Sequence, residues 1–141
     1  MSFIYTFKTK EITLRKGTPL EIVKFLDDIV NDHVWTYAGL PHPLFKTERW
    51  FALFLKSGWY EDCSYFQKRN GYWRLFIHCN INKGSEEIEQ FTDWITPFIA
   101  GHKPKEYLGH VWAENYDWNV YIERKKPEIG GEKTTFDGDT A

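Results

Sequence analysis

Phe3, Tyr5 and Phe7 alternate with Ile4, Thr6 and Lys8, the period of two that marks a half-buried strand. Ile12 and Leu14 carry the opposite parity, so this strand is expected to bulge or bend near Lys10. A change of period follows. Ile22, Val23, Leu26, Ile29 and Val30 form one helical stripe, and Thr18, Pro19 and Glu21 read as N-cap, first helical position and capping-box partner. The pattern predicts a helix over 19–31.

Residues 33–45 hold Gly39, Pro41 and Pro43 and read as largely loop. The run from Trp50 to Leu55 has no decisive period. Thr47, Glu48, Lys56 and Gly58 at its flanks favour a short buried helix within a helical insertion at 46–57, with a central strand as the alternative. Tyr65 to Arg69, then Asn70-Gly71, then Tyr72 to Ile81, is a hairpin whose two turn residues both tolerate the positive φ of a type I′ turn. Ser85, Glu86 and Glu87 open a second helix with Ile88, Phe91, Ile95 and Phe98 on one face, which Pro97 should kink or end. Tyr107 to Glu123 reads as one long strand, or a hairpin broken around Glu114-Asn115.

The order strand, helix, hairpin, helix, strand predicts an α+β fold. Its simplest form is a ferredoxin-like βαββαβ sandwich, with two helices on one face of an antiparallel sheet. The single domain is expected to span 1–124. Residues 125–141, with Pro127, several glycines and mixed charge, read as a flexible C-terminal tail.

A two-residue turn fixes the hairpin register and therefore its faces. Lys68–Trp73, Phe66–Leu75, Ser64–Ile77 and Asp62–Cys79 form the more apolar set, expected under the helices. Arg69–Tyr72, Gln67–Arg74, Tyr65–Phe76 and, if pairing extends, Cys63–His78 form the other. The open face would then carry Tyr65, Arg69, Tyr72, Arg74, Phe76 and His78. Trp, Tyr and Arg are the residues enriched at protein interfaces, so a protein partner or a homodimer is the expected occupant. Aromatics among arginines also suit stacking of unpaired bases, which makes a single-stranded nucleic-acid or nucleotide binder the alternative. Cover by the C-terminal segment would instead make the same residues ordinary core.

Composition narrows this little. Aromatics make up 18% of the 141 residues, enough for both a bulky core and an anchored interface. The net charge of −2 argues against a strongly basic nucleic-acid binder but leaves room for a local patch. The N-terminus lacks a signal-peptide core and no apolar run approaches the ~20 residues of a membrane span, so a cytoplasmic protein without membrane contact is expected. Cys63 opposite His78 is the weak catalytic candidate, since an imidazole can lower a thiol pKa. No oxyanion donor accompanies it, so a small Cys/His enzyme ranks below the binding readings. His33, His42, His78, His102 and His110 show no ligand spacing, and the glycines form no phosphate loop, so neither a metal nor a cofactor is expected.

Overall fold

Two antiparallel sheets share two strands of chain that bend from one into the other. The computed structural model describes residues 4–32, 40–55, 61–82 and 85–124. β1 (Ile4–Thr9) and β2 (Ile12–Thr13) are one strand interrupted at Lys10-Glu11, and β4 (Tyr72–Phe76) and β5 (His78–Asn82) are another interrupted at Ile77. With β3 (Tyr65–Arg69), β6 (Lys105–Trp112) and β7 (Asp117–Glu123), they form sheets ordered β5-β1-β6-β7 and β2-β4-β3. The fold is α+β.

The expected bend near Lys10 is present, and it preserves the inward side of the chain. Phe7 and Thr9 before it, and Ile12 and Leu14 after it, are all buried. The hairpin register also follows the turn: Tyr65 pairs with Phe76 and Arg69 with Tyr72, around Asn70 at φ 55° and Gly71 at φ 83°. The expected single strand from Tyr72 to Ile81 is corrected to two, because β4 pairs with β2 while β5 pairs with β1. The final segment is a hairpin rather than one strand, turning at 113–116. In β6 the ladder slips between Tyr107 and Gly109, and Gly109 there lies so close to β1 that a Cβ would sit 2.5 Å from the Lys8 carbonyl oxygen.

The first helix, α1 (Leu20–Leu26), continues as a wider turn through Asp27–Asn31. Its expected capping box is absent. Pro19 is the cap residue without a side-chain cap bond, and the Thr18 hydroxyl donates to the Arg15 carbonyl at 2.6 Å. Phe25, outside the predicted stripe, is fully buried, with its ring edge-on to Phe45, Phe54 and Trp94 at 5.2–5.9 Å. Phe45 and Phe54 come from tight helical turns at Pro43–Lys46 and Trp50–Phe54, so the 50–55 run is helical and not a central strand. The second helix, α2 (Ser85–Ile95), tightens at Thr96–Phe98 around Pro97.

Polar groups fix these pieces to one another. The Glu87 carboxylate, 2% exposed, accepts the Arg49 amide at 2.8 Å and so caps the Trp50–Phe54 turn from α2. The His42 Nδ1 accepts the Leu44 amide at 3.0 Å, leaving Nε2 to donate to Asp93 at 2.9 Å. Asn31 donates to the Phe66 carbonyl of β3 at 2.8 Å. At the other end, Arg124 donates to the carbonyls of Ile99, Ala100 and Lys103 and to Glu106. Among the described residues no helix is long and apolar enough to cross a membrane. The predicted tail and most of the 33–45 loop lie outside the described residues.

Candidate interaction face

Alternation along β4 separates the two sides of the smaller sheet. Leu75 points into the core and is fully buried, as is Ile77 just beyond the strand. Trp73 is half-buried on the same side, its ring stacked on Phe66 at 4.6 Å. On the other side, Tyr65, Tyr72 and Arg74 are half-buried and Arg69 is exposed. Phe76 and His78, expected to share that open face, are buried at 8% and 6% exposure. Tyr65 covers Phe76 at 5.3 Å between ring centroids, and Phe76 in turn meets the His78 ring.

A carboxylate that the sequence reading did not single out organises this face. Glu11, at the break between β1 and β2, accepts hydrogen bonds from the Tyr65 hydroxyl and from Arg69 Nη2, the latter at 2.7 Å. Arg74 Nη1 lies 3.8 Å from the same carboxylate and donates to Thr13 Oγ1 at 3.1 Å. The Tyr65 hydrogen bond, aided by the two guanidinium groups, holds the Glu11 pKa below the usual carboxylate value. Burial, together with the anionic Glu11, raises the Tyr65 phenol. Beside them, Lys16 Nζ sits 5.1 Å from the Tyr72 ring centroid and the Arg74 guanidinium 5.9 Å.

The Cys63–His78 pairing does not extend the ladder, whose last pair is Tyr65 with Phe76. Beyond it the Ser64 hydroxyl accepts the His78 amide at 2.8 Å, and the His78 ring faces Asp62, with Nδ1 3.2 Å from Oδ1. Lys8 reaches Asp62 at 2.6 Å and is the main cause of its lowered pKa. Each histidine on this side of the larger sheet is thus joined to an aspartate: His110 lies between Asp117 at 2.9 Å and Asn119 at 2.6 Å. Among the described residues no group of three or more His, Cys, Asp or Glu could hold a metal ion.

The same outer side continues over β6 and β7 with Tyr107, Trp112 and Tyr121, all exposed. Elsewhere, a cleft of about 860 Å³ opens between the end of α2 and the end of β7 over Trp94 and Phe98. The Arg124 guanidinium in its wall is directed onto backbone carbonyls. Comparison with protein-family models, curated protein sequences and solved structures finds no match to this chain.

Proposed function

We propose that this chain is a non-enzymatic interaction domain, of the regulator, inhibitor or immunity type, that engages a protein partner or a second copy through the outer face of β2, β4 and β3. The observation that carries the reading is the Tyr65, Arg69, Tyr72 and Arg74 cluster. It lies on the side of the smaller sheet turned away from Leu75 and the core, and it is ordered around Glu11 by hydrogen bonds. Preset tyrosine and arginine side chains lose little freedom on binding, which is why such residues dominate interface energetics. The strand neighbours support a ferredoxin-like βαββαβ frame, extended by β7 at one edge: β3, then β4 with β5, then β2 with β1, then β6.

A single-stranded nucleic-acid binder is the second reading, favoured by charge. The face gathers the cations Lys16, Arg69 and Arg74 around Glu11, in a chain of net charge −2. One experiment separates the readings: absolute mass in solution together with the 260/280 nm absorbance ratio, for the native chain and for Tyr72→Ala/Arg74→Ala. A nucleic-acid-free assembly that the double variant dissolves without unfolding supports the interface. Copurifying nucleic acid lost in the same variant replaces it with the second reading.

A further inference from the structure

We infer that Tyr65, Arg69 and Arg74 form a receptor for a carboxylate of an acidic protein segment, and that Glu11 occupies this receptor in the free protein. The inference rests on the interaction reading above and gives its partner a chemistry. A phenol and a guanidinium donate to one carboxylate, with a second guanidinium 3.8 Å away. That is the convergent, charge-assisted arrangement that recognises carboxylates in general. Glu11 is placed to leave. It sits in the two-residue break between β1 and β2, outside the ladder that pairs Ile12 with Leu75 and Thr13 with Arg74. Its backbone can therefore shift as the side chain swings out without costing a strand pair.

Charge decides between occupants. Among the described residues, Lys16, Arg69 and Arg74 gather around the one carboxylate of Glu11, so a second copy presenting the same patch would place cation on cation. An acidic segment from another protein meets no such opposition, and its carboxylates replace the charge that Glu11 withdraws. Nucleic acid fits less well because stacking needs free ring faces. The Tyr72 ring already has two cations within 6 Å of its centroid, at 5.1 and 5.9 Å, and the Tyr65 ring lies against Phe76.

Fluorescence anisotropy of labelled decaglutamate, with labelled oligothymidylate in parallel, tests this on the full chain. Glu11→Gln keeps the size of the side chain and removes its charge. It should bind decaglutamate about five-fold more tightly than the native chain, the size expected from one partly exposed charge contact. Arg69→Gln, at a side chain exposed enough to leave the fold intact, should weaken binding by a similar factor, and added salt should weaken every complex. Circular dichroism of each variant confirms that it is folded. The inference is overturned if Glu11→Gln binds no better than the native chain, if oligothymidylate binds more tightly than decaglutamate, or if neither probe binds. The solution-mass experiment reads association without these probes. A protein that assembles through Tyr72 and Arg74 yet ignores decaglutamate would therefore sink this inference and leave the interaction reading standing.

Discussion

Thr9 and Ile77 exchange two hydrogen bonds, one of them through a side chain. The Thr9 amide donates to the Ile77 carbonyl at 2.9 Å, while the Ile77 amide donates to the Thr9 hydroxyl oxygen at 3.0 Å. Both residues are buried, and they lie where the two bent strands pass from one sheet into the other. A hydroxyl here accepts the amide that a main-chain carbonyl accepts in a regular ladder. Thr9→Val keeps the shape and strands the Ile77 amide, so it should cost about 1–3 kcal/mol, whereas Thr9→Ser should retain most of the stability. Urea unfolding of the three proteins checks the order.

Acid should loosen the outer face before it unfolds the core. Glu11 has a folded-state pKa below its ordinary value of 4.5. Its contribution to stability is therefore complete above that value and is lost as pH falls through the lowered one. The raised Tyr65 phenol acts at the other end: its contribution is complete below its ordinary value of 10.0 and is lost as pH rises through the raised one. Denaturation midpoints measured from neutral pH downward should fall more steeply for the native chain than for Glu11→Gln. Parallel slopes would show that Glu11 does not carry the effect.

The two sides of β4 should respond differently to truncation. Leu75→Ala removes a fully buried side chain from the centre of the core and should cost about 2–5 kcal/mol by leaving a cavity. Tyr72→Ala lies on the outer side, where the ring is half-buried beside the Lys16 and Arg74 cations, and should cost under about 1 kcal/mol. Chemical denaturation of both variants tests the contrast. Equal losses would place Tyr72 in the core.

The thiols should behave unlike each other. Cys63 is a half-buried cysteine, while Cys79 is buried among core residues and burial pushes its pKa far above the ordinary thiol value. A chromogenic disulfide reagent should label Cys63 in the native protein and both thiols after denaturation. Rapid native labelling of Cys79 would contradict the inward side assigned to β5.

Elements with a local rule behind them were legible in the sequence. Asn70-Gly71 sets the hairpin register, the parity change between Phe7 and Ile12 marks the bend, and Pro97 marks the end of regular α2. The cap of the first helix is not legible, because Thr18 bonds backward to Arg15 instead of forward to a helix amide, a competition that spacing alone does not resolve. The candidate face was legible only within the hairpin. Parity assigns Phe76 and His78 to the open side, but it does not show that Tyr65 and the residues around Asp62 cover them. Glu11 was missed for a related reason. No turn fixes how β2 lies against β4, so nothing in the sequence brings Glu11 to Tyr65 and Arg69 across more than fifty residues.

Arg124 follows the last residue of β7, and its guanidinium binds the carbonyls of Ile99, Ala100 and Lys103 together with Glu106. One side chain thereby holds both ends of the 99–106 segment, which crosses from α2 back into the sheet. Among the described residues, the fold thus finishes on a clasp rather than on the end of a strand. An Arg124→Ala variant would keep every residue of the helices and strands among the described residues, yet the crossing would lose its fastening. Proteases should then cut first between Gly101 and Pro104, far along the chain from the side chain that was removed.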